Sequence, residues 1–271
     1  MKVKKYALLI VSLLISAVML FPLYWTITGS LETNTQIFRD PPYLFPPAPT
    51  LHAYASAFAT QLPHLLSSFI VATGTTVVSL AVAAPAAYAI THFRYRGVTF
   101  LVSILLITQM IPGVSLANAL FLIFNKLGLL NNYFSLILSD CSFSIPFDVL
   151  ILRAFMGSIP RAISEAAVVD GAGDWRTFLS VIVPISRSSL VTAGLFAFLF
   201  GWGDFLFAVT MMTSNKIEPI TVSIYSYISS YSQSWSDMMA AAVLASIPAA
   251  ILLILSQRYI TAGIASNSVK G

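Results

Sequence analysis

Glu165-Ala166-Ala167-Val168-Val169-Asp170-Gly171-Ala172, continuing to Pro184, lies between two segments apolar enough to cross a bilayer. Lipid offers so charged a stretch no partner, so it belongs on an aqueous side. There it serves either as a docking element for another protein or as a plain connector. Ser164 stands where a helix N-cap belongs, and Glu165 in a first turn complements the helix dipole. Ala166 and Ala167 are strong helix formers, and Asp170-Gly171 supplies a stop, because glycine takes the left-handed conformation at little cost. After Gly173-Asp174 a second helix is predicted, with Trp175, Phe178, Leu179 and Ile182 at i, i+3, i+4 and i+7. That spacing makes one apolar stripe, able to lie against the base of a membrane domain.

The surrounding chain is 58% hydrophobic and only 9% charged over 271 residues, far from the composition of an ordinary globular domain. It reads as an all-α polytopic membrane protein. A spanning helix needs about 20 mostly apolar residues, and six stretches qualify: 7–28, 65–90, 99–124, 134–156, 189–212 and 238–260. The expected layout is a single transmembrane domain over 1–271. An anchor helix at 1–28 is followed by an external loop at 29–64 and a five-helix core at 65–260. That core carries the cytoplasmic loop 157–188 and is followed by a tail at 261–271. Lys2, Lys4 and Lys5 before the first stretch resemble the start of a signal peptide. The apolar run exceeds the usual ~7–15-residue signal core and no A-x-A-like site follows Thr28, so it is expected to stay as an anchor.

Lys and Arg in the loops set the orientation. With the N-terminus inside, the inner side carries Lys2, Lys4, Lys5, Arg94, Arg96, Arg153, Arg161, Arg176, Arg187, Arg258 and Lys270. The outer side keeps only Arg39, Lys126 and Lys216. Both termini are therefore expected in the cytoplasm. This topology accounts for the net charge of +4, leaving no basic patch to argue for nucleic acid. Cys141 lies inside the fourth stretch and is expected to pack as a small apolar residue.

Polar residues inside apolar stretches are the candidates for function. Gln109, Pro112, Gly113 and Asn118 make the middle of the third stretch polar and bendable, which fits either a pore-lining helix or interhelical hydrogen bonding. Asp140 and Asp148 lie in the fourth, and Asp148 has no evident partner. In the fifth, Trp202-Gly203-Asp204-Phe205 places a carboxyl about 15 residues in, roughly 22 Å at ~1.5 Å per residue. Asp204 is either functional or a hydrogen-bonded helix contact. Alanines around Pro85 read as a packing helix. The loop 29–64, rich in prolines, is expected to be extended, with a short helix over 51–58. Tyr225, Tyr227, Tyr231 and Trp235 fit an interfacial belt better than a ligand-binding surface.

Glu165-Ala166-Ala167, three residues, Gly171, nine residues, then Val181-Ile182-Val183-Pro184 resembles the EAA signature of permease subunits in binding-protein-dependent ABC importers. The usual ending is I-x-L-P, so Val181 and Val183 are mild departures. The likeness covers nearly the whole chain and points to the carbohydrate branch, which includes the smaller permease of maltose transporters. Ile145-Pro146-Phe147, Leu152-Arg153, Ile159-Pro160 and Ala172 fit that branch. Trp202-Gly203-Asp204-Phe205 is similar to its W-N-[ED]-F element with Gly203 in place of Asn. The tail Ala262-Gly263 through Val269-Lys270-Gly271 resembles its common ending, whereas Ser188 stands where many relatives have a second proline.

The resemblance implies a type I ABC importer permease fold with a coupling helix seated in a cleft of a cytoplasmic ATPase subunit. Glu165, Ala166, Ala167, Asp170, Gly171 and Pro184 would form the coupling set, with Glu165 meeting a basic group of the ATPase. Gln109, Asn118, Trp202 and Asp204 are candidates for the translocation path. Implied partners are a second related permease, two ATPase subunits, an external solute-binding protein or lipoprotein, and a sugar as cargo. The chain lacks G-x-x-x-x-G-K-[ST], and its scattered His52, His64 and His92 offer no metal spacing. No catalysis, metal or cofactor is expected of it, so ATP and Mg would sit on the partner ATPase. The expected location is the inner or plasma membrane of a bacterial or archaeal cell. A permease for non-sugar solutes and an ion-driven secondary transporter are the alternatives, the latter disfavoured by six spans without a visible repeat.

Overall fold

The computed structural model describes residues 2–93, 96–214, 217–229 and 234–268, with side chains described from Lys5 to Tyr259. Arg94, Lys216, Tyr231 and the Val269-Lys270-Gly271 ending lie outside these residues. The side chains of Lys2, Lys4 and Ala262 do as well. The described chain is helical, with no strand. Its order is α1 (Lys2–Ser30), α2 (Asn34–Ile37), α3 (His52–His92), α4 (Val98–Thr108), α5 (Gly113–Lys126), α6 (Tyr133–Met156) and α7 (Arg161–Val169). There follow α8 (Asp174–Thr177), a π turn (Phe178–Ile182), α9 (Val183–Ile185), α10 (Arg187–Gly203), α11 (Leu206–Met211), α12 (Ile220–Ser229) and α13 (Trp235–Ser268).

Four helices are long and apolar enough to cross a membrane: Lys5–Ser30, His52–His92, Tyr133–Met156 and Trp235–Tyr259. Two bent pairs raise the number to six if each is one span. Val98–Thr108 with Gly113–Lys126 turns through 95°, and Asp174–Ile185 with Arg187–Gly203 through 82°. The third apolar stretch therefore breaks where Pro112 removes a backbone donor. The fifth stretch ends its first helix at Gly203, short of the expected 212. The helix expected over 51–58 is instead the start of α3, which runs 41 residues without interruption. That is about 60 Å of rise, twice what a bilayer crossing needs.

The chain divides into two compact units. The first comprises residues up to Pro63 together with Ser223–Ile247. Its core is small, with Ala53 and Ala57 packed against Ala240 and Ala241 beside Tyr54, Ile224 and Tyr227. Small residues let the backbones approach, so polar side chains can bridge them. Gln61 Nε2 donates to Tyr227 Oη at 3.0 Å, and Ser223 Oγ donates to Gln61 Oε1 at 2.7 Å. Tyr227 is thereby tied into this unit. Most of α1 is exposed along its whole apolar length, with Leu8 to Leu20 available to lipid.

The second unit comprises His64–Val222 and the chain from Pro248 onward. Here α10 packs along α6, with α4, α5 and α11 against the same framework. Ala83, Ala84 and Ala87 of α3 are buried with Val149, Leu152 and Met156 of α6, so the alanine-rich stretch is a packing face. At Gly201 a Cβ would lie 3.0 Å from Ala72 Cα, and only glycine allows α10 to approach α3 so closely.

Candidate functional site

The loop after α6 forms the helix its sequence promises, one turn earlier than expected. α7 starts at Arg161 with Pro160 in the capping position, because proline's fixed φ suits a helix start and its missing donor costs nothing there. Ser164 is thus not the cap. It is buried in the helix, and its Oγ donates to the Arg161 carbonyl at 2.9 Å. Glu165 accordingly lies beyond the first turn, exposed on the outer face with Ala166, Val168 and Asp170.

The helix end matches the expected stop in detail. Gly171 has φ +81°. Its N–H donates to the Val168 carbonyl at 3.0 Å, and that of Ala172 to the Ala167 carbonyl at 2.9 Å. This pair of bonds is a Schellman closure, which satisfies carbonyls that a helix end otherwise leaves orphaned. Ser164 and Ala167 face inward, while Val169 projects with 87% of its surface exposed.

The expected single stripe on the second helix is divided. Phe178 and Ile182 are buried among Tyr88, Val149, Leu152 and Met156, but Trp175 is 62% exposed and Leu179 also faces out. Residues 178–182 are wound as a π turn, which widens the helix and breaks the i, i+4 register on which one stripe depends. Pro184, exposed, follows in α9, where the chain is about to turn by 82° into α10.

Within the membrane-length helices, each buried carboxyl has found a partner on a different element. Thr75 Oγ1 lies 3.4 Å from Asp140 Oδ2, and Ser79 Oγ donates to Asp148 Oδ2 at 2.6 Å. The partner of Asp148 was not evident in sequence. A usable signal was present: Thr75 and Ser79 are one turn apart on α3, and Asp140 and Asp148 two turns apart on α6. The contacts progress in the same chain direction, so these two helices run parallel. Asp148 Oδ1 is buried without a partner.

Asp204 sits at the break between α10 and α11. Its Oδ1 accepts from the Phe207 amide at 3.1 Å and its Oδ2 from the Ala208 amide at 2.8 Å, while Thr221 Oγ1 donates to its backbone carbonyl at 2.6 Å. The carboxyl thus replaces the hydrogen bonds that a helix start lacks. It also lines, with Asp140, a cavity of about 480 Å³ walled by Phe143, Phe200, Phe205 and Phe207. The other sequence candidates lie elsewhere. Gln109 Nε2 donates to the Phe143 carbonyl at 3.0 Å and pins the α4–α5 break to α6. Trp202 is buried and stacks on Phe198 at 5.6 Å, and Asn118 is exposed on α5. Asp140, read from sequence only as a residue of the fourth stretch, is the unforeseen member of the cavity wall. Among the described residues no group of His, Cys, Asp or Glu could hold a metal ion.

A chain of long apolar helices, two of its apolar stretches broken at polar residues and its loop helix α7 exposed along one face, has the build of a membrane permease component. Residues 79–266 match the family described as the binding-protein-dependent transport system inner membrane component, and the chain belongs to that family. Over 254 residues it is 33% identical to the sulfoquinovosyl glycerol transport system permease protein of Agrobacterium fabrum, covering 93% of this chain and 89% of that one. The trehalose transport system permease protein of Mycobacterium tuberculosis is 31% identical over 256 residues, 93% of each chain. In fold, it is similar to a chain of a bacterial ABC transporter involved in the import of the acidic polysaccharide alginate. The TM-score is 0.79 at 20% identity, covering 95% of this chain and 96% of that one. The protein is therefore an ABC importer permease, a multi-pass transport component of the cell inner membrane rather than an enzyme, and several of its relatives are named for sugar transport.

Proposed function

We propose that this chain forms one half of an alternating-access path for a sugar and that residues 165–184 couple it to a cytoplasmic ATPase. The observation that carries this reading is the build of α7. Its inward face, Ser164 and Ala167, is fixed to the second unit, and a Schellman closure locks its end. Its outward face offers Glu165 beside small and apolar groups, Ala166, Val168 and Val169. A rigid, narrow, partly apolar helix end is the shape a cleft in a partner can hold. The buried Phe178 and Ile182 tie the same loop to α3 and α6, so a displacement of α7 reaches the membrane helices.

In this reading both bent pairs count as spans, making six, and both termini lie in the cytoplasm. A second related permease completes the path, two ATPase subunits hold ATP and Mg, and an external binding protein delivers the sugar. This chain binds no cofactor of its own. Reconstituted complexes carrying Glu165→Lys or Gly171→Pro are expected to assemble yet lose ATP turnover stimulated by the loaded binding protein. Proline is suited to this test because its φ near −65° cannot reproduce +81°. Unchanged turnover and uptake in both variants would sink the coupling role.

A further inference from the structure

We propose that the cavity between α6, α10 and α11 is a carbohydrate subsite carried by this half of the permease, and that it takes neutral sugars in preference to anionic ones. The proposal rests on the sugar-import reading. The cavity measures about 480 Å³, within the roughly 300–1,000 Å³ of small-molecule sites. Carboxyls at membrane depth turn to the bundle interior or to water, not to lipid, so the opening belongs on the side that a solute can reach.

The wall has the two chemistries a sugar needs. Phe143, Phe200, Phe205 and Phe207 provide apolar faces for its C–H surfaces, and Phe200 is 41% exposed. Asp140 provides acceptors for hydroxyls. Its contact with Thr75, at 3.4 Å, is long, and each carboxylate oxygen has room for two hydrogen bonds. Gly203 adds no bulk, since a Cβ there would meet nothing within 4 Å. Among the described residues no Lys, Arg or His lines the cavity. A sulfonate or uronate would therefore enter without a cation to pair with, beside carboxyls that offer no positive charge, and an anion desolvated without a partner is disfavoured. A cationic amine could use the same rings through cation–π contact. Asp204 is already bound through both oxygens to the Phe207 and Ala208 amides, which leaves Asp140 alone for the charge. One carboxyl with spare acceptors suits a polyol better than a polyamine.

The test has two arms. The external binding protein of this importer is screened by ligand-induced thermal shift against neutral di- and trisaccharides, a uronate oligosaccharide, a sulfonated glycoside, a polyamine and free amino acids. A neutral sugar is expected to bind tightest. A uronate or sulfonate would overturn the selectivity while leaving the sugar-importer reading intact, and an amine or amino acid would overturn both. In proteoliposomes with the full complex, Asp140→Asn and Phe200→Leu are each expected to lower uptake of the retained sugar about tenfold more than they lower ATP turnover, the loss of a carboxyl contact or a ring face. Phe200→Leu alters an exposed ring and keeps the test open if the aspartate variant does not assemble. Equal losses of uptake and turnover, or no loss in either variant, would overturn the subsite.

Discussion

The loop 161–185 and the helix breaks at 109–112 and 203–205 solve one problem by opposite means. Each ends a helix and must satisfy the carbonyls or amides set free. In the loop, the chain uses its own neighbours: Gly171 and Ala172 close onto Val168 and Ala167. At the breaks, side chains and distant elements take part, since lipid supplies no hydrogen bonds. Asp204 binds the amides of α11, Thr221 reaches the Asp204 carbonyl, and Gln109 crosses to Phe143. A closure made by the backbone tolerates side-chain change, whereas a closure made by a single side chain fails when that side chain is lost.

That contrast orders the expected effects of substitution. Asp204→Leu should be the most damaging, leaving two amides unsatisfied at about 1–3 kcal/mol each. Its complex is expected to melt well below the wild type in detergent, with Asp204→Asn intermediate. Ser79→Ala should cost about 1–3 kcal/mol by stripping Asp148 of its one bonded oxygen. A double-mutant cycle with Asp148→Leu checks it, since removing both polar groups should recover most of the loss. Gly171→Ala should cost roughly 1–2 kcal/mol, the penalty for a side chain at positive φ, because its Cβ meets nothing within 4 Å. Val169→Ser, at an exposed site, should leave the stability within about 0.5 kcal/mol of wild type. Any effect should appear only in the stimulation of ATP turnover. A melting loss at Val169 larger than at Ser79 would break the comparison.

The same contrast explains what could be read from sequence. The α7 helix, its stop at Gly171 and the bend at Pro112 depend on neighbours within five residues, and their residue types carry the instruction. Ser164 misled because a serine that could cap sat three residues inside a helix already begun by Pro160. The stripe from Trp175 to Ile182 misled because a π turn changes the period the stripe assumes. The long-range pairs, Thr75 with Asp140 and Ser79 with Asp148, are separated by 65 and 69 residues, and periodicity within one helix cannot match them. Asp204 was visible as an anomaly in an apolar run. Its local duty, capping α11, is signalled by Gly203 beside Asp204, a helix breaker next to a capping residue, but the length of the apolar run favours one unbroken helix.

The π turn at Phe178–Ile182 also has a mechanical meaning. Its extra backbone per turn sets Phe178 and Ile182 into the core while leaving Trp175 and Leu179 outside, so one short element grips two surroundings at once. Under the coupling proposed above, an element wedged by two buried side chains would resist rolling about its axis, and a push on the loop would reach α3 and α6 as tilt.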